Sequence, residues 1–186
     1  MSGKKKASIT LFILIFLIAG AALIKNAAAR QETTLGALMP DMPDANAVYI
    51  MRTVGVAAPL EQCYLQSDED AEESSALLDL ITVSDCRYDH KLKTQKNAAG
   101  DNTFYEYSGS TVYTVSLYRE PQSSDRNDDE RRLLARFSFS KEGGELYFAS
   151  NPAAPDTLGR AYTTASHAEL AAALDESLAA HRKESL

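Results

Sequence analysis

The chain has no tryptophan, and only two cysteines and three histidines among its 186 residues. That leaves little material for a metal centre, and Cys63, Cys86 and His90 match no zinc-ligand spacing. No G-x-S-x-G, H-E-x-x-H, P-loop or G-x-G-x-x-G occurs, so nucleophile elbow, zincin helix and phosphate cradle are all missing. With nine glycines in all, nothing suggests a cofactor cradle, and the expectation is no cofactor, no metal and no catalytic residue. Basic residues are scarce where they would matter for nucleic acid. Five of the 19 Lys/Arg fall in the first 30 residues, which hold no acid, so the remainder sets fourteen bases against 26 acids, a formal charge of about −12. A field of that sign repels nucleic acid and anionic headgroups. Beyond the N-terminal region the basic residues form no cluster larger than a pair such as Arg131-Arg132, so a nucleic-acid partner is not expected.

What the chain does have is one long uncharged run. Residues 7–24 read ASITLFILIFLIAGAALI, with Lys4, Lys5 and Lys6 before them and Lys25 after. At about 1.5 Å per residue a helix of that length spans roughly 27 Å, close to the ~30 Å hydrocarbon core of a bilayer. The run has no polar stripe at helical period, as a helix in a soluble core would. More positive charge precedes it than follows it, so the remainder of the chain is expected outside the cytoplasm. Ala27-Ala28-Ala29 offers small residues for a signal peptidase, with a cut before Arg30. The run exceeds the ~7–15 residues usual for a signal h-region. An uncleaved, single-pass signal anchor in the cell membrane is therefore expected, and secretion after cleavage before Arg30 is the alternative. The expected organisation is a cytoplasmic stub at 1–6, a transmembrane anchor at 7–24, a linker at 25–45 and an extracytoplasmic domain at 46–186. The linker reading rests on Gly36, Pro40 and Pro43 and on apolar residues that show no period, with a short helical turn expected near Leu35–Met39.

Within that domain, β-branched and aromatic residues predict strands at 46–54 and 60–66. Ser67-x-x-Asp70 resembles a capping box and predicts a helix from Ser67, with Leu77, Leu78 and Ile81 on its packed side. Residues 84–94 alternate, which puts Cys86, Tyr88, His90 and Leu92 on one face. Residues 95–102 read as a loop and 103–107 as a short strand. Residues 111–120, 132–140 and 146–150 predict an antiparallel meander, with a turn at 141–145, and residues 160–163 touch the sheet. Ser166-x-x-Glu169 is a capping box that opens a last helix through about residue 182, carrying the stripe Leu170, Leu174 and Leu178. The predicted class is α+β: an N-terminal transmembrane helix, then one antiparallel sheet with two helices packed on one face.

Four groups of residues carry possible chemistry. Cys63 and Cys86, an even count in an oxidising compartment, permit one disulfide, with buried free thiols as the alternative. Cys86-x-x-x-His90 offers a thiol and a base, but four strand residues separate them by about 13 Å. Asp125-x-Asn127-x-Asp129 copies the first ligands of a calcium loop, but Glu130 stands where glycine is wanted and Arg136 where a bidentate Glu is wanted. His167 and His181 sit at the two ends of the last helix, with no partner at motif spacing.

The lysines plus apolar run, TVYTVSLY (111–118), GGELYF (143–148) and AYTTASHAELAAAL (161–174) resemble small membrane-tethered extracytoplasmic domains of unknown function from Gram-positive bacteria. The resemblance implies no catalytic residue. The expected function is a binding or interaction module at the cell envelope, not an enzyme, with a protein or peptide partner. Two alternatives stand beside it. One is a secreted or envelope enzyme using Cys86 and His90. The other is an accessory subunit of a membrane complex, packing through Gly20-Ala21-Ala22.

Overall fold

A computed structural model describes residues 32–54, 61–66, 68–91, 95–96, 102–103, 111–120 and 131–181. The apolar run 7–24 lies outside the described residues, as does the acidic loop 125–129. Among the described residues no helix is long and apolar enough to cross a membrane. The chain divides into Met1–Gln31 and a compact unit, Glu32–Leu186.

That unit is α+β. It begins with strand β1 (Glu32–Thr34), helix α1 (Leu35–Leu38) and a 3-10 turn at Met42–Asp44. Strands β2 (Ala47–Val54) and β3 (Glu61–Leu65), helix α2 (Ala71–Val83) and strand β4 (Asp85–Lys91) follow. Then come the short strands β5 (Gln95–Lys96) and β6 (Asn102–Thr103), which pair only with each other. The chain continues through β7 (Thr111–Arg119), β8 (Arg132–Ser140), β9 (Glu145–Ser150), β10 (Arg160–Thr163) and helix α3 (His167–Ala180). Eight strands form one antiparallel sheet in the order β1-β4-β10-β9-β8-β7-β2-β3. Residues 160–163 pair with β9 and extend the expected three-strand meander to four consecutive strands.

Register sorts the side chains. Ile50 stands opposite Cys63 and Val115, Val115 opposite Phe137, and Phe137 opposite Phe148, so these share one face. They belong to the same buried cluster as Leu77 and Ile81 of α2 and Leu170, Leu174 and Leu178 of α3. Aromatic rings knit the middle of that face: Tyr113 stacks on Phe139 at 5.2 Å, and Phe148 meets Tyr162 edge-on at 5.7 Å. Such pairs add about 0.5–1.5 kcal/mol beyond the area they bury.

The N-terminal segment differs from the sequence expectation. Residues 32–45 are part of the folded body and not a linker, because Leu35, Met39 and Met42 are buried in the core cluster. Leu35, Leu38, Met39 and Met42 do follow the i, i+3, i+4, i+7 spacing of a helical face. Gly36 lets α1 lie against α2, since a Cβ there would stand 2.8 Å from Thr82 Cγ2 and 2.9 Å from its carbonyl oxygen. The Asn151 amide donates to the Leu38 carbonyl at 2.8 Å, tying the segment to the end of β9.

Ser67, which opens one expected capping box, lies outside the described residues, and the other box is replaced. Helix α2 starts at Ala71, and Asp70 turns back to accept from the Gln66 amide at 3.0 Å. Helix α3 has no side-chain cap from Ser166. Instead Asp85, at the start of β4, accepts from the Ala165 amide at 3.0 Å and the Ser166 amide at 2.9 Å. The Ser166 hydroxyl donates to the same carboxylate. A strand carboxylate thus takes the Ser166 amide that the capping box would have offered to Glu169, and the serine hydroxyl is a donor to it.

Candidate functional site

The structure separates the sequence-derived candidates. Cys63 lies on edge strand β3 and Cys86 on β4, with β10, β9, β8, β7 and β2 between them. Six strand spacings amount to about 29 Å across the sheet, far beyond the reach of a disulfide. Both cysteines are free and buried, so the bridge allowed by their number is absent. Burial pushes both thiols up to about 12, helped at Cys63 by Glu73 and Asp70 and at Cys86 by Asp85. A thiol held that high is almost wholly protonated near neutrality and is a poor nucleophile.

Cys86 and His90 are not on one face, as simple alternation predicted. Tyr162 pairs with Tyr88 and Ala161 with His90, so Asp89 is an extra residue in β4. This bulge shifts the alternation. Cys86 and Tyr88 remain on the core face, while His90 turns to the other, half exposed, with Nδ1 2.9 Å from Asp89. The thiol and the imidazole are therefore not assembled into a pair.

The other two histidines act at helix ends. His167 Nδ1 lies 3.0 Å from the Thr164 carbonyl oxygen. His181 follows α3 and reaches α2, with Nε2 2.8 Å from Glu73 and 3.9 Å from Asp70. Burial opposes ionisation of Glu73, but hydrogen bonds from Ser177 and His181 outweigh it and hold the carboxyl below its usual range.

Two polar clusters were not visible in the sequence. In the first, Asp175 of α3 accepts from Arg52 Nη1 at 2.7 Å, the Tyr113 hydroxyl at 2.8 Å and Lys141 Nζ at 2.9 Å. Arg52 also pairs with Glu61 at 2.7 Å. Burial raises the Asp175 carboxyl, yet the donors from Lys141, Tyr113 and Arg52 win and lower it. Tyr113 is fully buried and its hydroxyl is pushed up, first by burial and then by its bond to Asp175. The set fastens α3 to β2, β7 and the β8–β9 turn, and each charge in it is already matched. In the second, on the opposite face, the Arg131 guanidinium lies 4.4 Å from the centre of the Tyr64 ring and 3.3 Å from Glu120, which also accepts from the Tyr64 hydroxyl at 2.6 Å. It too is matched within itself.

Among the described residues, one concave feature with room for a ligand is a trough between α2 and α3 of about 490 Å³. Glu73, Ala76, Leu77 and Leu80 line it from α2, and Ala173, Glu176, Ser177 and Ala180 from α3. Each set runs i, i+3, i+4, i+7, so one stripe of each helix faces the opening. Alanine at three of the eight positions keeps the walls low. A second, shallower hollow continues along Glu69, Asp70, Ala71 and Glu72 at the start of α2. Among the described residues no cluster of His, Cys, Asp and Glu is arranged to hold a metal ion. The trough could have been suspected from Ala173, Ala180 and Ala76 beside leucines, but only the packing of two helices distant in sequence creates it. Comparison of the chain with family models, with curated proteins and with solved structures gives no match.

Proposed function

We propose that this chain is a single-pass membrane protein whose α+β body, with α2 and α3 together on one face of the sheet, works outside the cytoplasm as a binding module for a protein or peptide of the cell envelope. The observation that carries the reading is the succession in sequence of an uncharged 18-residue run and a folded, acidic body that begins at Glu32, with seven residues between them. The lysines before the run favour retention of that end in the cytoplasm. The trough supports binding over catalysis, because it is lined by alanine, leucine and carboxylates and holds neither the buried thiols nor a histidine–nucleophile pair. The small-domain resemblance carried by the lysines, the apolar run and residues 111–118 agrees with this reading.

Membrane fractionation with intact-mass measurement tests it. The expected result is the full-length chain in the membrane fraction, resistant to carbonate extraction, with residues 32–181 digested by protease added outside intact cells or spheroplasts. Protection of that body from external protease would overturn the orientation. A product beginning at Arg30 in the medium would instead support a second reading, a secreted domain, which the small residues Ala27-Ala28-Ala29 favour.

A further inference from the structure

We infer that the trough between α2 and α3 receives the apolar side of a cationic amphipathic helix from a partner protein. This rests on the binding-module reading above and names the chemistry of the partner.

The two lining stripes each extend over eight residues, seven steps or about 10.5 Å of helix. That is the length over which a third helix presents one i, i+3, i+4, i+7 set of anchors, the pattern by which helices lie in apolar grooves. Leu77 and Leu80 supply apolar floor, while Ala76, Ala173 and Ala180 have too little side chain to block a third backbone. Charge selects the occupant. Glu73 and Glu176 border the trough, and Glu69, Asp70 and Glu72 continue the same edge. Asp70 and Glu73 face one histidine, His181. Glu72 and Glu176 are exposed and have no cationic partner among the described residues. A neutral apolar helix would leave these carboxylates unmatched and an acidic one would be repelled, whereas lysines or arginines flanking the apolar stripe would meet them. Complementary rim charge contributes mainly to selectivity and association rate. The same acidic edge disfavours an anionic bilayer surface as the occupant.

The test uses the full chain in phosphatidylcholine nanodiscs and fluorescence anisotropy. The probes are two labelled helical peptides of about 18 residues, long enough to hold helix. They share one leucine stripe and differ in carrying lysine or glutamate elsewhere. Signal from empty nanodiscs is subtracted. The expected result is at least about tenfold tighter binding of the lysine peptide, a preference that weakens with salt. The double variant Ala76→Lys, Glu176→Lys changes two exposed helix positions to a good helix former, so it should melt as the wild type does. It should cut the preference for the lysine peptide severalfold, because four carboxylates then face two new lysines.

Equal binding of both peptides, or a preference the double variant leaves intact, overturns the inference. Binding that appears only after Arg182 and Lys183 are changed to serine assigns the trough to the chain's own tail, and self-association abolished by the double variant assigns it to a second copy. Either outcome also overturns it. A full-length chain in membranes that binds neither peptide sinks this inference and leaves the anchored-module reading standing. A chain found only in the medium sinks the anchored reading, while the peptide titration still decides the trough.

Discussion

Replacing Asp85 by alanine should loosen α3 although Asp85 lies about eighty residues before it. The carboxylate accepts from the amides of Ala165 and Ser166 and from the Ser166 hydroxyl, with the Thr164 hydroxyl at 3.4 Å. Hydrogen bonds to a charged group contribute about 1.5–3 kcal/mol. Ala165 is exposed and Ser166 half-buried, so water recovers part of the loss, and about 2 kcal/mol is expected for Asp85→Ala. In a body of this size that lowers the melting temperature by roughly 4–8 °C. Asp85→Asn retains one carbonyl acceptor and should cost about half as much. The pH dependence has a definite sign. Burial raises the Asp85 carboxyl, but the bonds from Ser166, Ala165 and Thr164 outweigh it and hold the folded-state value below the usual one. A group depressed on folding stabilises the fold above its unfolded value, about 3.9 for aspartate, and that contribution is lost as pH falls through the folded value. The gap between wild type and Asp85→Ala should therefore be full at neutral pH and shrink below about pH 4. Denaturant unfolding followed by tyrosine fluorescence reads this directly, since the chain has nine tyrosines and no tryptophan. Equal midpoints at neutral pH, or a gap undiminished in acid, would refute the reasoning.

The thiols offer a second check. Cys63 and Cys86, free, buried and pushed up to about 12, should resist a thiol reagent in the folded protein and both react on unfolding; a mass that rises on reduction would contradict the separation of β3 and β4 in the sheet. The turn before β9 offers a third. Gly144 has φ +67°, and a Cβ there would lie 2.5 Å from the Thr164 carbonyl oxygen, so Gly144→Ala should destabilise the fold by more than about 1 kcal/mol, measured as a lower denaturation midpoint; an unchanged midpoint would show that β9 and the start of α3 move apart easily.

The local periodicities of this sequence determine its elements. Alternation at period two in residues 111–119 and 132–140 specifies strands, and the leucines at 170, 174 and 178 specify a helix, because the chemistry that decides them lies within a few residues. The α+β class follows from their sum. Residues 32–45 show both sides: a helical turn near Leu35–Met39 is legible and forms as α1, but the burial of Leu35, Met39 and Met42 in the core is decided by the elements they meet. What only the tertiary structure decided depends on neighbours far apart in the chain. The extra residue Asp89, which turns His90 away from Cys86, is defined by pairing with β10, some seventy residues later. The order that sets Cys63 and Cys86 at opposite sides of the sheet comes from α2 carrying the chain from edge strand β3 to β4. The carboxylate that holds the entry to α3 is an aspartate of β4, and the anchor at Asp175 gathers Arg52, Tyr113 and Lys141 from three separate places. The trough exists only where a stripe of α2 meets a stripe of α3. A short polar or alanine-rich stretch is compatible with solvent, a cap or a groove wall. The choice among these is made by the partner it meets on folding, and that partner is not encoded in adjacent residues.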